Sequence, residues 1–104
     1  MNTGLPESVL CSIINRLKNK ENVVRAVIFG SRARSDFKYN SDIDLAVYCN
    51  GKLSSELRHE LDEAAGIYRI DVVDMNSSLD EKLRKRIEQQ GIEIYCANKE
   101  VRKS

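Results

Sequence analysis

Two aspartates, Asp42 and Asp44, stand at the head of an otherwise apolar stretch running to Cys49. In an extended strand a spacing of two puts both carboxylates on one face. Asp is disfavoured inside strands, so a pair there needs a cause. At about 5 Å and an effective dielectric of about 20, two carboxylates repel by roughly 3 kcal/mol. A divalent cation converts that repulsion into coordination, and magnesium favours such oxygen donors. A strand end that projects both groups into water explains an isolated Asp-x-Asp just as simply, so the pair needs company.

The company lies on either side. Upstream, an apolar run ends in Phe29-Gly30-Ser31. Glycine lets a ligand come close to the backbone, and a serine hydroxyl with the free amides of a following turn can hold phosphate oxygens. Arg32 and Arg34 follow, placed where they could offset phosphate charge. Downstream, Asp71 sits within Ile70-Asp71-Val72-Val73. A carboxylate in such an apolar run is costly unless paired, hydrogen-bonded or bound to metal. Asp74 has the opposite parity, at the strand's end, and reads as a cap or turn residue.

These groups have to be positioned by strands and helices. Val23 to Phe29 is short, β-branched and apolar at both parities, which predicts an interior strand covered on both faces. Residues 31–40 are polar and basic, a loop or brief helical turn. Within 42–49, Ile43, Leu45, Val47 and Cys49 face one way, and Asp42, Asp44, Ala46 and Tyr48 the other. Tyr68 to Val73 predicts a third strand and Ile92 to Cys96 a short last one.

Helices fill the gaps. The first begins near Pro6 and carries the stripe Val9, Leu10, Ile13, Ile14, Leu17. The next is capped by Ser54 or Ser55, buries Leu57, Leu61, Ala64 and Ala65, and stops at Gly66. A third long helix is expected from a cap at Ser77 or Ser78 to Gly91, with Leu79, Leu83 and Ile87 inward. The order αβ(α)βαβαβ predicts a layered α/β (α+β) domain with a small mixed sheet flanked by helices.

The chain has 104 residues, enough for one domain, with residues 1–4 and 98–104 expected to fray. Hydrophobic residues make up 41% and charged residues 32%, an ordinary globular balance. A net charge of +1 gives no case for nucleic-acid binding, and the Lys82–Arg86 run reads as a solvated helix face. No stretch approaches the roughly 20 apolar residues needed to span a bilayer, and no secretory signal opens the chain. Cys11, Cys49 and Cys96 lack metal-site spacing, and their odd number fits a reducing cytoplasm better than a disulfide framework. They read as small buried hydrophobes. His59, the single histidine, falls among Arg58, Glu60 and Asp62 and reads as a surface residue. Tyr48 shares the aspartates' face and could line a nucleotide pocket.

The segment from Gly30 to Leu45 resembles the signature of the DNA polymerase β-like nucleotidyltransferases: Gly-Ser, ten residues, then Asp-x-Asp, with residues 32–41 filling the gap here. In that family a later strand supplies a third carboxylate, which falls on Asp71. Length and element order bring the chain nearest to the minimal nucleotidyltransferases, prokaryotic proteins of about this size. The resemblance implies two magnesium ions (or manganese) held by Asp42, Asp44 and Asp71, with Asp71 assisting deprotonation of the acceptor. It also implies ATP as substrate and a triphosphate grip made by Gly30, Ser31 and Arg32 or Arg34. Minimal members are usually paired with a helical HEPN-domain toxin, which implies an antitoxin that transfers AMP onto a partner tyrosine, in homo- or hetero-oligomeric form. Two other readings stand beside it: adenylylation of a small molecule such as an aminoglycoside, and a non-catalytic nucleotide-binding or steric antitoxin. The chain departs from many minimal members at Ser35, where they carry glycine, and 104 residues leave no room for a second, acceptor-binding domain.

Overall fold

The computed structural model describes residues 3–97; the tail expected at 98–104 lies outside them. Helix α1 (Glu7–Lys18) leads into β1 (Val23–Phe29), a single helical turn α2 (Ser31–Arg34) and β2 (Ile43–Cys49). Then come α3 (Ser55–Ala64), β3 (Ile70–Asp74), α4 (Glu81–Gln90) and β4 (Ile92–Cys96). The four strands form one sheet in the order β3-β2-β1-β4. β1 runs antiparallel to both neighbours, and β2 and β3 run parallel, so the sheet is mixed as expected.

β1 is interior and buried at both parities from Ala26 to Phe29, the result of its apolar, β-branched composition. On one face Ala26, Ile28, Leu45 and Val47 pack with Ile13 and Leu17 of α1 and Leu57 and Leu61 of α3. On the other, Val27, Phe29 and Ala46 pack with Met75 and Ile87, and the partly buried Tyr48, Val73, Leu79 and Leu83 lie alongside. The alternation in β2 therefore sorts its side chains between two cores of unequal cover. The thinly covered face is the one that carries Asp44.

Caps and turns explain where the boundaries moved. Pro6 occupies the N-cap of α1, its carbonyl accepting the Val9 and Leu10 amides at 3.1 Å. Ser54 caps α3 by accepting the Leu57 amide at 3.1 Å. β3 starts at Ile70, two residues later than expected, because the Tyr68 amide is held by the Ala65 carbonyl at 3.1 Å in the turn after α3. α4 begins at Glu81 rather than after Ser77 or Ser78, with Asp80 at its N-cap. Ser77 is otherwise engaged: its hydroxyl donates to the Asp74 carbonyl at 2.6 Å and closes the turn after β3. Asp74 is the turn residue expected, accepting the amides of Leu53 at 3.3 Å and Asn76 at 2.9 Å.

Gly91 stops α4 by a different route from the left-handed cap its type suggests. Its φ is −69°, but a Cβ there would strike Val27 of β1 and stand 2.6 Å from the Ile87 carbonyl. Glycine is needed for close approach of helix end to sheet.

Three other expectations change. Cys11 and Cys96 are exposed, and only Cys49 is buried. Within the basic run, Arg84 is half-buried and donates to the Met75 carbonyl at 3.1 Å, tying α4 to the preceding turn. Thr3, in the stretch expected to fray, is buried.

Candidate active site

β1 delivers Gly30 to the edge of the thinly covered face. Gly30 has φ 76° and ψ −150°, a conformation open essentially to glycine alone. A Cβ at this position would collide with Oδ2 of Asp44. Two conditions thus demand the same residue: backbone conformation and the nearness of a carboxylate. The chain then enters α2, where the Ala33 and Arg34 amides both reach the Gly30 carbonyl at 3.1 Å. The amides of Ser31 and Arg32, in the first turn, have no acceptor within the helix.

β2 and β3 bring the acids together. Asp44 pairs in register with Asp71 across the parallel strands, and with Phe29 across the antiparallel pair. Register partners on parallel strands project to the same side. Asp71 shares parity with Val73, which packs under α4, just as Asp44 shares parity with Ala46. Asp42, half-buried, precedes the strand by one residue. Burial pushes the Asp44 carboxyl above the ordinary carboxylate range; Asp71 and then Asp42 push it further, and Arg34 opposes them.

Three carboxylates supply hard oxygen donors of the kind magnesium takes. The upward push on Asp44 from its two neighbours is the electrostatic demand that a cation would relieve. Among the described residues no three His, Cys, Asp or Glu side chains form a ready-made metal cage. Donor chemistry and charge, rather than a preformed cage, make Asp42, Asp44 and Asp71 a candidate cation site.

The two arginines part company. Arg34 is exposed, near enough to influence Asp44, and loosely paired with Asp36 at 3.4 Å. Arg32 is fully buried. Its guanidinium donates to the carbonyls of Thr3 at 2.9 Å and Ser41 at 2.8 Å, and more weakly to that of Tyr39 at 3.4 Å. It also stacks on the rings of Phe37 and Tyr68, each centroid 5.3 Å away. The expectation that Arg32 grips phosphate is therefore corrected: buried, its donors spent on backbone, it braces the loop that leads into Asp42. Sequence could not separate the two, since both are arginines in a polar turn.

Ser35 caps α2 in the left-handed region, φ 70°, alone among non-glycine residues described. This is the position where the resemblance expects glycine, and the conformation supplies the reason. Tyr48 packs against the α4-side core, with Arg25 4.9 Å above its ring. His59 is exposed and paired with Glu63 one helical turn on, as a surface residue would be. Sequence reading passed over Ile67 and Arg69, which with Tyr39, Asn40 and Tyr68 line a cleft of about 370 Å³ beside Asp42. The available signal was an isoleucine set directly after Gly66, where no strand or helix needs it.

A family model described as "Polymerase beta, Nucleotidyltransferase" matches residues 12–100. Among solved structures, a toxin–antitoxin complex with AMP-PNP aligns at TM-score 0.69 and 26% identity, over 90% of this chain and 76% of that one. An MntA–HepT toxin–antitoxin structure aligns at 0.66 and 26%, over 88% and 73%. A structure of a tri-AMPylated Shewanella oneidensis HEPN toxin in complex with its MNT antitoxin aligns at 0.64 and 26%, over 86% and 71%. No curated protein matches the chain significantly.

Proposed function

Because the chain belongs to the polymerase β-type nucleotidyltransferase family, we propose that it is a magnesium-dependent adenylyltransferase that moves AMP from ATP to a tyrosine hydroxyl of a HEPN-domain toxin and so acts in the cytoplasm as its antitoxin. The observation that carries this is the in-register pairing of Asp44 with Asp71, beside a Gly30 that only glycine can occupy. The likeness to MNT antitoxins in complex with HEPN toxins supports the choice of acceptor. No helix among the described residues is long and apolar enough to cross a membrane.

Asp42, Asp44 and Asp71 would hold the magnesium, which when bound supplies charge neutralisation to attacking and leaving oxygens alike. The rest is done by the chain's own groups. The Gly30 bend lets phosphate oxygens approach the Ser31 and Arg32 amides and the Ser31 hydroxyl. Arg34, exposed at the rim, offsets charge on the departing pyrophosphate. The acceptor oxygen attacks the α-phosphorus, the bond to the β-phosphate oxygen breaks, and an Asp71 carboxylate oxygen takes the acceptor's proton.

The test is transfer of label from α-labelled ATP, with magnesium, to a HEPN-domain toxin protein. Label on that protein, lost with Asp44→Asn, is the expected result. Label only on an added aminoglycoside, or on nothing, overturns the proposal.

A further inference from the structure

A cleft opens beside Asp42. It is lined by Tyr39, Asn40 and Ser41 on one wall and Ile67, Tyr68 and Arg69 on the other. Its volume, about 370 Å³, falls at the small end of ligand-sized sites. Among the described residues three large hydrophobic side chains are exposed, and two of them, Tyr39 at 88% and Ile67 at 96%, stand here. The third, Val24, is only 38% exposed and lies in β1. Exposed apolar groups gathered beside a polar cleft mark a binding surface rather than scatter. Arg69 is exposed, and its guanidinium has no ion-pair or hydrogen-bond partner among the described residues. Tyrosine and arginine beside an aliphatic anchor make up the usual composition of protein-binding hot spots.

Sheet order decides which substrate this cleft faces. Crossing from β1 through β2 to β3 leads from the Gly30-Ser31 bend, past Asp44, to Asp71. Residues 67–69 lie beyond, where the chain enters β3. In-line displacement places the attacking oxygen opposite the leaving one. With the leaving pyrophosphate at the bend on β1, the attacking hydroxyl must come from the β3 side, where the cleft opens.

The geometry points to the cleft as the seat of the acceptor: a polypeptide segment whose tyrosine reaches past Asp42, whose apolar neighbours cover Tyr39 and Ile67, and whose acidic side chain meets Arg69. This rests on the transfer reading above. Two loops form this seat, 39–42 and 67–69.

The experiment varies the HEPN-domain partner protein at saturating magnesium and ATP, with ATP affinity measured separately by calorimetry. Tyr39→Ala combined with Ile67→Ser, and separately Arg69→Gln, should raise KM for the partner at least about tenfold and move the Kd for ATP less than about twofold. Melting temperatures matching the parent protein's show that these surface changes leave the fold alone. An unchanged partner KM overturns the assignment, as does a parallel rise in the Kd for ATP, which would make the cleft a nucleoside seat. Should the parent protein transfer nothing, the transfer reading fails by itself, and the cleft is judged by partner affinity measured without nucleotide. Weaker binding by the variants upholds it; equal binding, or none by the parent, overturns it.

Discussion

Asp44 and Asp71 are direct register partners on the parallel pair β2–β3, so a half-buried carboxylate and an exposed one stand side by side. Such a pair is a standing electrostatic cost that a fold keeps for use rather than for stability. Replacing Asp44 by Asn should abolish nucleotide transfer, by more than about a thousandfold in kcat/KM. In the metal-free protein it should also raise Tm at neutral pH by a few degrees, on the order of 2–6 °C. Activity and melting curves on one preparation check both halves.

The sign of the pH dependence follows from the same group. Burial, then Asp71 and Asp42, raise the Asp44 pKa in the folded protein above its unfolded value. The folded state therefore binds that proton more tightly, and its contribution to stability is largest at acid pH. It is lost as pH rises through the folded value. Relative to Asp44→Asn, the parent protein without metal should lose stability as pH rises past the ordinary carboxylate range and through the folded Asp44 value, and recover it on adding magnesium. Paired denaturant titrations of the two proteins, with chelator and with metal, read this directly.

Gly30→Ala should be damaging twice over. The backbone conformation costs roughly 1–3 kcal/mol for a residue with a Cβ, and that Cβ displaces the Asp44 carboxylate. Stability should fall by about that amount, and transfer by about a hundredfold or more, since misplacing a reacting group by about 1 Å costs that much. Denaturation midpoints and initial rates measure the two effects.

Arg32 and Arg34 are expected to behave oppositely. Arg32→Lys cannot span the Thr3 and Ser41 carbonyls and leaves at least one buried acceptor unmet, costing about 1–3 kcal/mol. Arg34→Gln should leave stability within about 0.5 kcal/mol and instead slow transfer. Chemical denaturation separates the two substitutions.

Ser35→Gly should stabilise. A serine held at φ 70° carries left-handed strain that glycine does not, worth roughly 1 kcal/mol before glycine's greater unfolded-state freedom is subtracted. A small rise in Tm is expected, and a fall would show that the serine side chain is needed there.

The sequence by itself determined the strand and helix order and the two-faced character of β2, because alternation and β-branching act locally and survive any packing. It also determined the candidate chemistry: Gly30-Ser31, Asp42, Asp44 and Asp71 announce themselves as residues that local structure does not otherwise want. Only the tertiary structure decided what depends on contacts distant in the chain. Register, set by β2 against β3, placed Asp71 beside Asp44, and Arg32 was turned from a phosphate ligand into a brace by carbonyls at residues 3 and 41. The cleft between residues 39–42 and 67–69 likewise exists only once two remote loops meet, since periodicity along a chain carries no information about which loops will be neighbours.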